Sequence, residues 1–255
     1  MSATYTPNPW LVTYAAQPQA KLNLFCFPYA GGSAQIFRSW RNAFPAASGV
    51  QVWAIQYPGR AVRMQEPPLK DYSLMIERMT PALLPLLTTK PFAFFGHSMG
   101  AILAFELTRT LRRQHGLAPL RLLVSGRRAP QVEEDEPATY NLPEAEFIER
   151  LRELKGTPAE VLEHEELLQL MLPILRADFE LVETYRYRSE PPLQCPISVY
   201  GGTQDKEVEE AHLTAWCEQT VASCALKMFE GDHFFLQTAQ PLLLEAVKRD
   251  LLMNS

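Results

Sequence analysis

The sequence lacks a basic excess. Its 24 lysines and arginines are outnumbered by 29 aspartates and glutamates, for a net charge of −5. A nucleic-acid-binding domain usually carries a basic surplus, so no DNA or RNA partner is expected. Long hydrophobic runs are also missing. Stretches such as Phe92 to Phe95 fall far short of the roughly 20 residues that span a bilayer, so no membrane association is expected. The opening MSATYTPNPW has no basic region leading into an apolar one; no secretion signal is expected, and the cytoplasm is the default location. Cysteine is scarce. Cys26, Cys195, Cys217 and Cys224 form no C-x-x-C pair and no His-rich spacing. They are too few for a disulfide framework and wrongly spaced for a metal site, so they read as reduced thiols, small buried hydrophobes, with no metal implied. Neither G-x-x-x-x-G-K-[ST] nor G-x-G-x-x-G occurs, so the usual phosphate and dinucleotide loops are absent. There is no internal repeat and no low-complexity tract.

What is present is a chain of 255 residues, 47% hydrophobic and 21% charged. These are the proportions of a soluble globular protein, long enough to bury a core without cross-links. Short apolar runs recur at 22–27, 51–57, 91–95, 120–125, 196–200 and 225–229, each followed by Gly or Pro-Gly punctuation. Between them lie helical patterns at 33–44, 72–87, 99–113 and 241–252. Nearly continuous apolar strands alternating with helices predict an α/β fold with a mostly parallel sheet covered on both faces. One segment breaks the alternation. Residues 131–190 offer no strand pattern and carry 16 acidic and 6 basic residues, a net of −10, so the remainder carries +5. Sixty residues are too many for a simple crossover. The segment reads as two or three helices inserted as a lid, with Phe147, Ile148, Leu151 and Leu154 on one face. A longer apolar set runs from Val161 through Leu168, Met171, Leu175, Phe179 and Val182. The plainer alternative is a long crossover with the acidic run Glu133 to Glu136 as a solvated loop.

The sharpest motif is Gly96-His97-Ser98-Met99-Gly100, a G-x-S-x-G between a predicted strand and a predicted helix. That context is a nucleophile elbow, a tight turn that presents the serine hydroxyl, with flanking glycines where bulkier residues would clash. The following helix N-terminus favours negative charge developing there. A serine hydroxyl needs a base, and in such folds the order is Ser, acid, His. Of five histidines, His115, His164 and His212 lie on helical or acidic stretches and read as surface residues. His97 adjoins Ser98 and reads as a packing residue. His233, in Gly231-Asp232-His233-Phe234 between the last strand and the last helix, is the expected base. The acid should follow the penultimate strand, where Gly201-Gly202-Thr203-Gln204-Asp205 places Asp205, with Glu207 as the nearby alternative and Asp232 as local structure. An oxyanion needs two donors. The N–H of Met99 is one, and the loop Phe27-Pro28-Tyr29-Ala30-Gly31-Gly32-Ser33 supplies the other, from Ala30 or alternatively Tyr29.

These residues describe a serine hydrolase. Five stretches together, FPYAGGS (27–33), YPGR (57–60), FFGHSMGA (94–101), GGTQD (201–205) and GDHFFL (231–236), resemble the type II thioesterases that accompany nonribosomal peptide and polyketide synthases. The vertebrate medium-chain fatty-acyl thioesterases are similar. LPEAEFIERLRELKGTPAEVL (142–162) and LPILRADFELVETYRY (172–187) extend the likeness through the insertion, so it covers about 22 to 245. One departure is Ala61 after PGR, where the family usually has glutamate; Arg63 and Glu66 still follow. The resemblance implies an α/β-hydrolase fold with a mobile helical lid, a monomer without cofactor, and a substrate acyl group held as a thioester on the phosphopantetheine arm of a carrier protein. It implies that Ser98, Asp205 and His233 work as a triad, clearing misprimed or stalled acyl groups. Tyr29, Met171, Leu175 and Phe179 are candidate acyl-contacting residues. Arg38, Arg60, Arg63, Arg127 and Arg128 are candidate basic residues at the mouth, unless they pair with the acidic insertion. A carboxylesterase of the same fold is the alternative, since a triad does not separate esters from thioesters. A non-catalytic, partner-binding relative would require a broken triad.

Overall fold

The computed structural model describes residues 8–133 and 137–252. The first seven residues, and Glu134, Asp135 and Glu136 of the acidic run, lie outside the described residues. The strands are β1 (Leu11–Val12), β2 (Leu22–Phe27), β3 (Val50–Ile55), β4 (Phe92–His97), β5 (Leu122–Ser125), β6 (Ile197–Gly202) and β7 (Cys224–Phe229). The α-helices are α1 (Trp40–Ala43), α2 (Tyr72–Leu87), α3 (Met99–His115), α4 (Glu144–Leu154), α5 (Ala159–Glu163), α6 (Glu165–Glu183), α7 (Glu210–Thr214), α8 (Phe235–Thr238) and α9 (Gln240–Leu252). One sheet holds the strands in the order β1-β3-β2-β4-β5-β6-β7. All neighbours pair in parallel except β1, which lies antiparallel on β3.

The uniform apolarity of the strands follows from this architecture. Successive side chains on a strand point to opposite faces, and here both faces are covered. Phe25 and Phe27 on β2 join a core under α2 and α3 with Met79, Leu83 and Leu103. Leu24 and Cys26, the alternate residues, join a second core with Trp40, Leu243 and Val247. The structure differs from the sequence-based expectation at two places. The 33–44 pattern is a 3₁₀ turn at Ala34–Phe37 followed by the single helical turn α1. The two-residue β1 is too short to leave a period in the sequence.

Residues between β5 and β6 form α4, α5 and α6. They contain a small core of their own, in which Phe147, Leu151, Leu168, Leu172 and Leu175 pack together with Met171 and Phe179 at its edge. Among the described residues no helix is long and apolar enough to cross a membrane.

The reading of four reduced thiols needs correction. Cys217 and Cys224 are disulfide-bonded, with Cα atoms 5.3 Å apart. A turn between the 3₁₀ helix at Ala215–Gln219 and β7 brings them together, a closeness that a spacing of seven residues does not announce. Cys26 and Cys195 are free and buried. Burial pushes the Cys195 thiol up to about 11 and that of Cys26 well above the usual range, which keeps both unreactive. Alkylation of protein prepared without reductant should therefore leave the native chain unlabelled. Two thiols should be modified after unfolding, and all four only after reduction. Intact mass distinguishes these states, and four labels without reduction would count against the bond.

Candidate active site

The site lies at the carboxyl edge of the sheet, where the strand order reverses. After β2 the chain moves outward to β3 and then returns to place β4 on the other side of β2. A crevice at the strand ends follows from that reversal. The loop after β2 and the turn after β4 face each other across it.

Ser98 occupies the turn between β4 and α3, with φ 51° and ψ −116°. For a residue with a side chain this backbone is strained, and only a tightly determined surround maintains it. The surround is visible at the glycines. A Cβ on Gly96 would stand 2.1 Å from the Gly100 carbonyl oxygen, and one on Gly100 would stand 2.1 Å from that of Phe27. Neither position admits a larger residue, so the G-x-S-x-G spacing is a packing requirement here. The Ser98 N–H donates to Ser125 O at 2.8 Å, tying the turn to β5. Met99 opens α3, so its amide belongs to the first-turn N–H groups that lack an intrahelical acceptor.

Asp205 follows β6 and His233 follows β7, as expected from the sequence. The His233 Nδ1 lies 2.8 Å from Asp205 Oδ2, with the Asp205 side chain 1% and the His233 side chain 15% exposed. The second Asp205 oxygen accepts the Glu207 N–H at 2.9 Å, which fixes the carboxylate's orientation. Glu207, the alternative acid, pairs instead with Arg150 of α4 at 3.1 Å. Asp232 accepts the Phe234 N–H at 2.9 Å, a local turn contact. Ser98 and His233 line one cavity of about 570 Å³, together with Tyr29, Ala30, Leu175 and Phe179. That volume suits a small organic group or an acyl chain. His115 and His164 are exposed and His212 is half-buried.

The loop after β2 has its amides divided. Gly31 N–H donates to Asp178 Oδ2 at 2.7 Å, and Gly32 N–H donates to Tyr29 O at 2.9 Å. Among the described hydrogen bonds, the amides of Ala30 and Tyr29 are not so engaged. Tyr29 is held at its far end, where its hydroxyl accepts from Gln237 Nε2 at 2.9 Å; burial raises its pKa above the ordinary tyrosine range.

Met171 does not line the cavity; it packs at the edge of the helical insertion's own core. It lies one helical turn before Leu175, which packs in the same small core and also lines the cavity. Ile102 and Val208 also line it but carry no sequence signal beyond ordinary apolar periodicity, whereas Phe234, which lines it too, stands beside His233 in the GDHFFL stretch. The basic residues also sort differently from the sequence expectation. Arg127 and Arg128 line the cavity. Arg38 is exposed, whereas Arg60 and Arg63 are buried. Arg60 pairs with Asp178 of the acidic insertion, and Arg63 pairs with Glu66 at 2.6 Å while covering the Trp10 ring. Ala61 is exposed with φ 49°, so its departure from the usual glutamate lies on the outside of a loop whose Arg63–Glu66 pair is intact.

His97 is wholly buried behind the site, with Nδ1 2.9 Å from Ser125 Oγ and its ring 5.2 Å from that of His233. Burial first, and then repulsion from His233, holds it well below the usual histidine range. It therefore stays neutral in the folded chain below pH 6.5, while an unfolded chain takes up a proton there. The unfolded state binds more protons, so stability falls as the pH drops. The slope for one such group is at most about 1.4 kcal/mol per pH unit. Urea unfolding at pH 7.5, 6.0 and 5.0 should show His97→Gln losing less stability on acidification than the native chain. Parallel curves would remove this role.

A family model described as Thioesterase domain matches residues 22–251. Linear gramicidin dehydrogenase LgrE of Brevibacillus parabrevis is 45% identical over 249 residues, covering 96% of this chain and 94% of that protein. Gramicidin S biosynthesis protein GrsT of Aneurinibacillus migulanus is 42% identical over 244 residues, again covering 96% and 94%. Among solved structures, the type II thioesterase BorB from the borrelidin biosynthetic cluster superposes with a TM-score of 0.85 at 38% identity, covering 96% of this chain and 98% of that one.

Proposed function

This chain belongs to the thioesterase family, and from that premise we propose that it hydrolyses acyl thioesters from the phosphopantetheine arm of carrier proteins in a nonribosomal peptide or polyketide synthase. The observation that carries the reading is the pairing of His233, which lines the same cavity as Ser98 at the edge of the sheet, with the buried Asp205 behind it. Ser98 Oγ attacks the thioester carbonyl while His233 takes its proton. The carbonyl oxygen becomes an oxyanion held by the amides of Met99 and Ala30. As the tetrahedral adduct collapses, the C–S bond breaks and His233 returns the proton to the departing pantetheine sulfur. Water then attacks the acyl-serine, giving its proton to His233, and the carboxylic acid leaves as Ser98 recovers its hydrogen. Asp205 holds the imidazole with Nδ1 as donor and stabilises it when charged.

In this proposal the helices α4 to α6 form a lid over the acyl group, with Leu175 and Phe179 among its contacts, and the task is to free carriers blocked by misprimed or stalled groups. The enzyme acts as a monomer in the cytoplasm and needs no cofactor of its own. LgrE's name describes a dehydrogenase, but the dinucleotide fingerprint G-x-G-x-x-G does not occur in this sequence. The test is to incubate the enzyme with an acetyl-loaded carrier protein and, separately, with a simple oxoester. Intact mass of the carrier should show loss of the acetyl group and retention of the pantetheine arm. Survival of the acetyl group with rapid oxoester cleavage would make the protein a carboxylesterase instead.

A further inference from the structure

The helical insertion is fastened to the loop beside Ser98 by a buried ion pair. Asp178 on α6 is 0% exposed and Arg60, 118 residues earlier, is 3% exposed. They form a two-pronged contact, Arg60 Nη1 to Asp178 Oδ2 at 2.6 Å and Nη2 to Oδ1 at 2.7 Å. The same Asp178 Oδ2 accepts the Gly31 N–H at 2.7 Å, and Arg60 Nη1 also donates to Gly32 O at 3.2 Å. Both charges therefore hold the main chain of the glycine pair. The packing adds to this. A Cβ on Gly31 would lie 2.7 Å from Leu175 Cδ2, so glycine there lets α6 sit directly on the loop. Gly31 has φ 77°, a backbone that L side chains adopt only with strain.

We infer that Asp178 and Arg60 are positioning residues that set the direction of the Ala30 N–H by clamping the amide and carbonyl that follow it, so that α6 and the oxyanion-binding loop hold one geometry together. The inference rests on the hydrolase reading above. Neither side chain touches the reacting atoms. With the Gly31 amide taken by a carboxylate, the peptide planes on either side of it lose their freedom, and the neighbouring amide keeps the orientation an oxyanion needs. Such preorganisation acts on the transition state and leaves substrate binding unchanged. It also means that α6 cannot swing away from the crevice without releasing this loop.

The test compares the native enzyme with Asp178→Asn and with the double variant Arg60→Met/Asp178→Leu. Breaking a buried pair by removing one charge destabilises, whereas replacing both by apolar groups of similar size is often neutral or better. The double variant should therefore fold, yet it has no acceptor for the Gly31 N–H. In it, kcat for thioester hydrolysis should fall about 10- to 100-fold with KM within twofold, a smaller loss than the roughly 10²–10³ that follows removal of an oxyanion donor. An acyl trifluoromethyl ketone, which forms a tetrahedral oxyanion adduct on the serine, should lose affinity by the same factor. A thioether analogue without a carbonyl should bind as before. Asp178→Asn keeps one oxygen that can accept the Gly31 N–H but presents an amide N–H to Arg60, so it should show a smaller split of the same sign between the two inhibitors. A double variant that is stable and fully active would overturn the inference, as would slow turnover with undiminished ketone affinity. The hydrolase reading fails in a different way: native enzyme would then cleave neither thioester nor oxoester and would not bind the ketone.

Discussion

Alanine at position 98 is expected to lower kcat for a carrier-bound acyl thioester by about 10⁴- to 10⁶-fold, the range seen when a serine nucleophile is removed and only the binding site and oxyanion donors remain. Stability should hardly change. The bonds that keep the elbow in place are main-chain ones, from Ser98 N–H to Ser125 O and from Ala101 N–H to Ser98 O, and both survive the substitution. The serine side chain makes no capping bond to α3, so no buried acceptor or donor is left unpaired. The strained backbone at φ 51° is carried equally by serine and alanine. Two measurements check this: single-turnover hydrolysis, and mass labelling by a fluorophosphonate, which should add to the native chain and not to the variant. Activity within tenfold of native would show that another residue is the nucleophile.

Asp205→Asn should cost about 10⁴-fold in kcat, although the two side chains have nearly the same shape. The reason is directional. The carboxylate can only accept, so it selects the imidazole tautomer that carries its hydrogen on Nδ1, 2.8 Å away, and leaves Nε2 free to take the Ser98 proton. An amide in that place can offer its own N–H to Nδ1. The ring then carries its hydrogen on Nε2, where a base is needed. The asparagine oxygen can still accept the Glu207 N–H that Asp205 accepts at 2.9 Å, so the loop should keep its shape. The discriminating readout is kcat together with the melting temperature: a large loss of rate at nearly constant stability. An Asn variant retaining a tenth or more of native activity would move the acid elsewhere, and Glu207→Gln and Asp232→Asn would be the next variants to measure.

The site residues differ in how plainly they announced themselves. Ser98, Asp205 and His233 each stand in a glycine-marked turn directly after an apolar run, so strand, turn and candidate residue are contiguous in the chain. Arg60 and Asp178 did not announce their partnership. Each lies in a recognisable local stretch, but a pair 118 residues apart is joined only when the insertion folds back over β2. Arg60 could be read as a basic residue at the mouth because its charge is visible in the sequence and its burial is not. Met171 and Leu175 look equivalent on a helical stripe and both pack in the insertion's own core, but only Leu175 also lines the cavity.

By itself the sequence determined the alternation of buried strands and helices, the parallel sheet and the order in which Ser98, Asp205 and His233, the proposed nucleophile, acid and base, follow its strands. These rest on short-range causes: periodicity, turn chemistry and the room that glycine leaves at Gly96 and Gly100. Only the tertiary structure decided which cysteines are joined, which arginines are buried, which loop amides are already taken, and where the insertion is anchored. Those depend on contacts between segments far apart in the chain, whose geometry is set by the packing of whole elements, and no local pattern records it.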